Sequence, residues 1–226
     1  MTNSLTIFDL DETLIAGDSA LIWSEFLVQQ GVITDPGFLQ EDRRLMTLYA
    51  LGELDMQVYL EFVMAPISDL STAEVDRLAS LCVEQQILPR LYRQAQSILT
   101  KLHQQQIFTL MISATVSFIV EKVAEKLAIK DALGIDLVIE NGCYTAKIQG
   151  TATYRSGKVI RLKEWLMQQE NSFTPIDFYT DSINDLPLCL HVDNPTMVNP
   201  CPQLIKQALL YNWPIISWSK DAQQGA

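Results

Sequence analysis

Two aspartates lie two residues apart near the beginning of the chain, in the segment Asp9-Leu-Asp11. They follow the short apolar run Leu5–Phe8, whose length and β-branched content predict a buried strand. Alternate residues of an extended segment point to the same side, so both carboxylates would leave the strand end together. Crowded carboxylates repel each other unless a cation lies between them, and hard divalent ions prefer oxygen ligands. A carboxylate can also attack phosphorus, although a solvated turn shows the same Asp-x-Asp pattern.

Three further segments hold polar residues where a core pattern would be apolar. Ser113-Ala-Thr115 is predicted to end a strand and begin a helix, where hydroxyl and amide groups bind anions. Lys158 lies near the start of a predicted helix, where a cation opposes the helix dipole. The segment Asp181–Asp185 follows a predicted strand and supplies acids and an amide suited to Mg²⁺. Each pattern taken alone is more often a helix cap, a turn or an exposed lysine.

The elements that would position these residues alternate between strands and helices after residue 88, which predicts a mostly parallel sheet covered on both faces. We expect strands at Phe108–Ser113, Asp136–Glu140, Ile176–Tyr179, Thr196–Val198 and Pro214–Ser217. We expect helices at Leu91–Gln105, Thr115–Leu127 and Gly157–Gln168, and one beginning at Asp185. Asn141-Gly142 is typical of a hairpin turn, with Tyr144–Ile148 and Thr151–Tyr154 as its arms.

The stretch from Asp18 to about Gln86 has a different pattern. It contains four groups of apolar residues at helical spacing and no strand pattern. Turn signals separate the groups, and Ser71–Glu74 matches the capping box that opens a helix. We therefore predict an α/β fold with an all-helical insertion after the first strand. Residues 1–16 and 88–226 would form the core, and residues 17–87 the insertion.

Composition excludes several classes of function. The chain has 226 residues and a formal net charge of −11, which repels nucleic-acid phosphates, so we expect no nucleic-acid partner. It has no apolar run of the roughly 18 residues that a membrane span needs, and its N-terminal segment lacks the features of a signal peptide. Residues 221–226 are expected to be a frayed end. The chain has four cysteines, Cys82, Cys143, Cys189 and Cys201, and none of them forms a CxxC pair. This usage indicates reduced thiols in the core and a cytoplasmic location.

In this order, the four polar segments resemble the motifs of the haloacid dehalogenase superfamily of phosphohydrolases. The stretches that carry the resemblance are FDLDETLIAGDS, TYRSGKV, YTDSINDLPL and NPTMVNP, together with Ser113. The helical insertion resembles the C1-type cap of the phosphoserine-phosphatase-like branch. Within that branch the stretches are similar to a bacterial hydrolase subfamily, IB, some of whose members resemble histidinol-phosphate phosphatases. The resemblance covers nearly the whole chain and implies a Rossmann-like core with a helical cap.

The resemblance also implies how the acidic residues divide the chemistry of phosphoryl transfer. Asp9 would attack phosphorus, and Asp11 would protonate the leaving alkoxide and then activate water. The Asp9 carboxylate, the Asp11 backbone carbonyl and the Asp181 carboxylate would hold Mg²⁺. Asp185 would hold the metal ligands in place without contacting Mg²⁺ itself.

The phosphoryl oxygens would be bound by other residues of the same motifs. Ser113, Ala114 and Lys158 would bind the transferring group, and Asn184 would orient that group or Lys158. The carboxylate at Asp11 favours a phosphatase or phosphotransferase, because halide displacement from carbon needs no acid for its leaving group. Motif I reads Asp-Glu-Thr rather than the Asp-Lys-Thr of the transport ATPases.

Substrate choice is expected to depend on the cap. Asp18 stands where phosphoserine phosphatases use an acid, usually Glu, to hold the substrate ammonium. Arg43 and Arg44 are candidates for binding a substrate carboxylate, but their spacing does not match the phosphoserine pattern. These departures favour a small phosphorylated metabolite with an amine and no carboxylate, such as histidinol phosphate. Phosphoserine, a phosphotransferase reaction and a non-catalytic binding module remain alternatives, and the sequence does not indicate the oligomeric state. Trp23 and Phe26 would pack a substrate ring or, as is commoner, the cap core.

Overall fold

The computed structural model describes residues 3–219, so the frayed end expected at 221–226 lies outside the described residues. The strands are β1 (Asn3–Phe8), β2 (Phe108–Val116), β3 (Asp131–Ile135), β4 (Leu137–Glu140), β5 (Cys143–Ile148), β6 (Phe173–Thr180), β7 (Asn194–Val198) and β8 (Ile215–Ile216). The α-helices are α1 (Ser19–Gln29), α2 (Phe38–Leu51), α3 (Met56–Met64), α4 (Thr72–Cys82), α5 (Arg93–Gln104), α6 (Ser117–Lys126), α7 (Ser156–Met167), α8 (Leu186–Cys189) and α9 (Pro202–Tyr211).

Six strands form one parallel sheet in the order β3-β2-β1-β6-β7-β8, which confirms the predicted α/β class. Leu5 and Ile7 of β1 are fully buried, as expected for an interior strand that is covered on both faces. Phe8 at the end of β1 aligns with Met111 of β2 and Tyr179 of β6. The segments that follow β1 and β6 therefore meet at the carboxyl edge of the sheet, where α/β proteins bind their ligands.

The insertion after β1 consists of helices, as predicted. Helices α1 to α4 lie between β1 and α5, and the Ser71 hydroxyl accepts a hydrogen bond from the Glu74 N–H, which is the expected cap of α4. Trp23 and Phe26 of α1 are buried and stacked with ring centroids 6.0 Å apart. These two aromatic residues therefore belong to the hydrophobic core. From this arrangement we propose that residues 1–16 and 88–226 form the core of the chain and residues 17–87 form the cap.

The end of β2 differs from the prediction. The strand continues to Val116 instead of ending at Ser113, and α6 begins at Ser117 instead of Thr115. Thr115 and Val116 are β-branched and favour an extended backbone, and Val116 pairs with Ile135 of β3. Ser113 therefore lies inside a strand, and the expectation that it sits at a helix N-terminus is wrong.

Two other predictions of strands need correction. The sequence did not indicate β3, because its Asp131 and Gly134 are poor strand formers. Gly134 is required there, since a Cβ atom would lie 2.7 Å from the Ser117 Cα atom. The hairpin turn at Asn141-Gly142 is confirmed, but it joins β4 to β5, and residues 151–154 form a loop rather than an arm.

The expectation that the cysteines are buried core thiols is met for only two of them. All four cysteines are free, but only Cys82 and Cys189 are buried, while Cys143 and Cys201 are half-buried. The two partly exposed thiols lie near chain turns rather than in the core. Across residues 3–219, no helix has both the length and the apolar character needed to cross a membrane.

Candidate active site

A buried lysine bridges two carboxylates at the carboxyl edge of the sheet. Asp9 directly follows β1, and its backbone N–H donates to the Tyr179 carbonyl at 3.0 Å. Lys158 Nζ lies 2.8 Å from Asp9 Oδ1 and 2.8 Å from Asp185 Oδ2. Asp9, Lys158 and Asp185 are 6%, 1% and 1% exposed. The lysine that the sequence placed near a helix start thus points inward, and its charge partly neutralises both acids.

The segment before Lys158 is packed too tightly to move freely. A Cβ atom on Gly157 would lie 1.9 Å from the Ala152 carbonyl oxygen, so only glycine fits at this position. The Thr153 hydroxyl donates to the Ser113 carbonyl, which ties the segment to β2. Arg155 adopts a φ of 52°, a conformation that non-glycine residues rarely adopt. These constraints fix the first turn of α7 and thereby the direction of the Lys158 side chain.

Burial and mutual repulsion raise the pKa values of the acids around this lysine. Burial raises the pKa of Asp9 to about 7 against the attraction of Lys158, and Asp185 and Asp11 raise it further. The pKa of Asp181 lies well above its ordinary value because of burial and then repulsion from Asp9 and Asp185. Burial alone would lower the pKa of Lys158, but the two carboxylates it contacts raise it. The site therefore holds more negative charge than one lysine balances.

The oxygen donors expected for Mg²⁺ are present at this edge. The carboxylates of Asp9 and Asp181 are the hard donors that Mg²⁺ prefers, and a cation beside them would offset the burial and the repulsion from neighbouring carboxylates that raise their pKa values. Within residues 3–219, no group of three or more acidic, cysteine or histidine side chains is placed to hold a metal ion. The expected ligand set has only two carboxylates, so it depends on the Asp11 backbone carbonyl and on waters, which Mg²⁺ usually keeps, and it stays a prediction.

The Asp11 carboxylate is held by Ser19, the first residue of α1, and by Thr115 of β2. The carboxylate accepts from the Ser19 N–H and from the Thr115 hydroxyl, the latter at 3.0 Å, and the two hydroxyls of Ser19 and Thr115 are 2.9 Å apart. Burial raises the pKa of Asp11 to about 7, and Asp18 raises it further. A carboxyl group with such a pKa can exchange protons near neutral pH. No sequence pattern indicated a role for Ser19, and Thr115 was predicted only as part of a phosphate-binding segment.

The turn after β6 connects the core to the cap. The Thr180 hydroxyl donates to Asp185 Oδ2 at 2.7 Å, and the Thr13 hydroxyl donates to Asp181 Oδ1 at 3.3 Å. The Asn184 amide donates to the carbonyl of Tyr49 in α2 at 3.0 Å. These contacts orient the two acids through neighbouring hydroxyls and attach the turn to a cap helix.

Asn184 and Ser113 have contacts that differ from their expected roles. The Asn184 side chain also accepts from Arg155 Nε at 3.3 Å, whereas Lys158 donates to the two acids. The Ser113 hydroxyl is fully buried and accepts from the Thr115 N–H at 3.1 Å. Both residues lie at the edge of the site, and their expected roles in binding or orienting a phosphoryl group stay predictions.

A cavity between cap and core lies beside Asp11. Its core side is formed by Asp11, Ala114 and Thr115, and its cap side includes Asp18, which also caps α1 by accepting from the Leu21 N–H at 2.9 Å. The other lining residues all belong to the cap: Ala20, Met46, Tyr49, Leu54, Met56 and Tyr59. Among the residues described, no lysine or arginine lines this cavity. Its charged side chains are acidic, and apart from Thr115 its other walls are apolar or aromatic.

The two cap arginines proposed as substrate ligands lie elsewhere. Arg43 pairs with Glu25 at 3.1 Å, and Arg44 pairs with Glu41 at 2.7 Å. Both arginine side chains are more than half exposed. The structure therefore does not bring them to the cavity beside Asp11.

The fold and the four motifs define a known class of enzyme. The chain belongs to the haloacid dehalogenase-like hydrolase family, whose model matches residues 6–189. Its sequence is 33% identical over 220 residues to a protein of Neisseria meningitidis serogroup C named histidinol-phosphatase, covering 95% of this chain and 99% of that relative. The family and this relative make the protein a hydrolase of the phosphatase type.

The fold of this chain is similar to that of solved structures. A protein of unknown function from Bordetella pertussis Tohama I is similar with a TM-score of 0.87 and 31% identity, over 96% of this chain and 99% of that one. A phosphoserine phosphatase with a phospho-aspartyl intermediate analogue is similar with a TM-score of 0.67 and 16% identity, over 93% and 99% of the two chains. The expected Rossmann-like core with a helical insertion is confirmed by these similarities.

Proposed function

We propose that the protein is a Mg²⁺-dependent phosphomonoesterase that acts through an aspartyl phosphate on a small amino-bearing phosphate, with histidinol phosphate as the favoured substrate. The observation that carries this proposal is the juxtaposition of two features. One is the buried Asp9–Lys158 pair at the sheet edge. The other is the neighbouring cavity, whose charged side chains, Asp11 and Asp18, are both acidic.

The first half-reaction uses Asp9 as the nucleophile. Ser113, Ala114 and Lys158 hold the phosphoryl oxygens, and an Asp9 carboxylate oxygen attacks phosphorus. The new bond joins this oxygen to phosphorus, while the bond between phosphorus and the substrate oxygen breaks. Asp11 donates its proton to the departing alkoxide, a role that suits its raised pKa of about 7.

The second half-reaction regenerates Asp9. Asp11, now ionised, takes a proton from water, the water oxygen attacks phosphorus, and the bond between phosphorus and Asp9 breaks to release phosphate. Asp9, Asp181 and the Asp11 carbonyl are the residues that would hold Mg²⁺, and the bound ion would neutralise charge on the phosphoryl oxygens. Lys158 supplies a fixed positive charge to the same group, since it is already buried beside Asp9.

The cavity favours an amine over a carboxylate as the second recognition group of the substrate. A protonated amine is attracted by the Asp18 carboxylate, whereas a substrate carboxylate would meet no cation in the described lining. Arg43 and Arg44 are engaged with surface acids. The relative of Neisseria meningitidis named histidinol-phosphatase supports the same choice. The sequence-based expectations of a cytoplasmic location and of no nucleic-acid partner stay predictions.

The experiment is phosphate release with Mg²⁺ across L-histidinol phosphate, L-phosphoserine, sugar phosphates, nucleoside monophosphates and p-nitrophenyl phosphate. We expect L-histidinol phosphate to lead by about a hundredfold in kcat/KM, which is about 2.7 kcal/mol of discrimination. Equal turnover of all the compounds would contradict the proposed substrate, and the absence of any turnover would contradict the phosphatase activity. Added alcohol acceptors would reveal phosphotransferase products if the aspartyl phosphate reacts with alcohols rather than water.

A further inference from the structure

The C-terminal end of α2 lies over the active site. Tyr49 in the last turn of this helix lines the cavity beside Asp11. Burial raises the pKa of the Tyr49 phenol well above its ordinary value, and the charges of Asp185 and Asp9 raise it further. The cavity measures about 20 Å³, little more than the space that one water molecule needs. A substrate therefore fits beside Asp11 only after part of the cavity wall has moved.

Helix α2 buries a smaller share of its residues than the helices on either side of it. Three of its 14 residues are buried, whereas α1 buries six of 11 and α3 buries five of nine. The three are Phe38, Asp42 and Leu45, and burying a carboxyl group such as that of Asp42 costs free energy. The neighbouring helix α3 is also tied to β5, because the Gln57 side chain donates to the Ala146 carbonyl at 3.1 Å. Helix α2 is therefore the part of the wall that moves most easily.

Side chains of the core hold the C-terminal end of α2 in place. The Asn184 amide donates to the Tyr49 carbonyl at 3.0 Å, and Arg155 Nε donates to Asn184 Oδ1 at 3.3 Å. The Tyr49 and Tyr154 rings have centroids 5.4 Å apart. The Arg155 guanidinium carbon lies 5.0 Å from the centre of the Tyr154 ring, within the range of a cation–π interaction. Arg155 thus contacts both side chains that hold the end of α2.

The Arg155 guanidinium also lies directly against the backbone at the end of α2. Gly52 follows the helix with a φ of 73°, and a Cβ atom on this glycine would overlap Arg155 Nη2. The last carbonyl groups of a helix carry partial negative charge, which attracts a cation. Glycine at position 52 therefore leaves the space in which the guanidinium meets the end of the helix.

The backbone of Arg155 is strained. Its φ of 52° and ψ of −124° belong to a region that glycine enters readily and that other residues rarely adopt. Such a conformation costs free energy and persists only where the surrounding structure enforces it. Glycine at this position would relieve the strain but would remove the guanidinium from Asn184 and Gly52. An arginine in this conformation therefore indicates a role for its side chain.

We infer that Arg155 is a latch that holds α2 closed over the active site. It is a positioning residue, because it acts through Asn184 and Gly52 and does not touch the substrate. With the latch engaged, Tyr49 stays over the acids and water is kept from the phosphoryl group. When the guanidinium leaves Gly52, the end of α2 is free to move and the cavity admits the substrate. This inference rests on the proposed function, since the latch controls access to that active site.

The test compares Arg155→Gly with the wild-type protein by hydrogen exchange and mass spectrometry. We expect the amides of residues 44–51 to exchange about fivefold faster or more in Arg155→Gly, since the lost contacts equal about one ordinary hydrogen bond. Peptides from α4 and from the sheet should exchange as in the wild type, and kcat/KM should fall by a similar factor. Unchanged exchange of residues 44–51, or faster exchange throughout the core, would overturn the inference.

A second variant approaches the same contact from the cap. Gly52→Ala places a methyl group where the guanidinium lies, so we expect it also to speed the exchange of residues 44–51. In Arg155→Gly that methyl group meets no guanidinium, and the effect of Gly52→Ala should be about twofold smaller or more. The strain of alanine at a φ of 73° is present in both backgrounds and cancels. Additive effects of the two substitutions would contradict the latch.

A matched control relieves backbone strain without touching the latch. Gln106 is exposed and has a φ of 55° just before β2, at the edge of the sheet opposite the active site. We expect Gln106→Gly to leave the exchange of residues 44–51 and kcat/KM at their wild-type values. If Gln106→Gly speeds this exchange as much as Arg155→Gly does, the effect belongs to the loss of strain and the latch is wrong.

Hydrogen exchange needs no turnover, which keeps the latch distinguishable from the proposed function. If the wild-type protein releases no phosphate while Arg155→Gly speeds the exchange of α2, the proposed function fails and the latch stands. If the wild-type protein is active and Arg155→Gly leaves the exchange of α2 unchanged, the latch fails and the proposed function stands.

Discussion

Asp9 and Lys158 are 149 residues apart in the sequence and form a buried ion pair of 2.8 Å at the carboxyl edge of the sheet. Asp9 is fixed by the end of β1, and Lys158 is fixed by the tightly packed turn before α7. The pair places a positive charge beside the proposed nucleophile before any substrate arrives. A fixed charge of this kind stabilises a transferring phosphoryl group without reorganisation.

We predict that Lys158→Ala loses both activity and stability. The substitution leaves Asp9 and Asp185 as uncompensated buried charges, which typically costs about 3–5 kcal/mol of unfolding free energy. Loss of the charge beside the phosphoryl group should lower kcat by about a hundredfold or more. Urea unfolding and phosphate release measure the two effects. The exposed Lys163 of the same helix provides the control Lys163→Ala, and comparable losses in both variants would argue against a special role of Lys158.

A second prediction concerns the proton that Asp11 supplies. In Asp11→Asn, the first-turnover release of an alkyl alcohol should slow by about 10²–10⁴-fold, because its alkoxide needs a proton. The first-turnover release of p-nitrophenolate should change much less, since this leaving group departs without protonation. Rapid-mixing kinetics with both substrates measure the difference. An equal slowing of both releases would show that Asp11 does not act as the acid.

The features that the sequence predicted are those encoded by local patterns. Asp9, Asp11 and Asp181 follow apolar strand segments, and parallel strands bring such ends to one edge of a sheet. The helical insertion was visible because its apolar residues recur at helical spacing. The direction of Lys158 was indicated only by its unusual place near a helix start, where a cation opposes the helix dipole.

Other features depend on packing between distant segments and had no local signal. The contact between Asn184 and the Tyr49 carbonyl joins positions 135 residues apart. Asp42 is buried together with Phe38 and Leu45 of α2, although its residue type is typical of an exposed position. Arg155 adopts a positive φ that its residue type does not favour. The close approach of Gly157 to the Ala152 carbonyl oxygen cannot be predicted without the folded conformation of the loop.

A third prediction concerns the hydrogen bond that joins the core to the cap. Asn184→Ala removes the donor to the Tyr49 carbonyl and the acceptor of Arg155. One such hydrogen bond contributes about 1 kcal/mol, so we expect kcat/KM to fall about five- to tenfold through weaker closure of the cap. Steady-state kinetics and limited proteolysis of the cap measure this effect. Asn194→Ala removes an exposed side-chain hydrogen bond to Asp177 and should leave both readouts unchanged.

The pH dependence of stability gives a fourth prediction. The folded protein raises the pKa of Asp9 and Asp11 from an ordinary value of 3.8 to about 7. A raised pKa means that the folded state holds protons more tightly than the unfolded state. In chelator-treated protein, this contribution to stability is therefore fully present below about pH 4 and is lost as the pH rises through about 7.

Thermal unfolding at about pH 5 and about pH 8 measures this effect. The Tm of the chelator-treated protein should be lower at the higher pH, and added Mg²⁺ should raise the Tm more there, because it binds ionised carboxylates. Asp9→Asn should show a smaller dependence on pH, since one of the crowded acids is gone. A Tm that does not change between the two pH values would contradict the raised pKa values of Asp9 and Asp11.

The central claim is that Asp9 becomes phosphorylated, and acid quenching tests it most directly. Wild-type protein is mixed with Mg²⁺ and substrate, quenched with acid within one turnover, and digested for mass spectrometry of the peptide that contains Asp9. We predict that this peptide carries one phosphoryl group, that Asp9→Asn carries none, and that Asp69→Asn behaves as the wild type. Phosphate release at the wild-type rate by Asp9→Asn, or a phosphoryl group on another residue, would contradict the account.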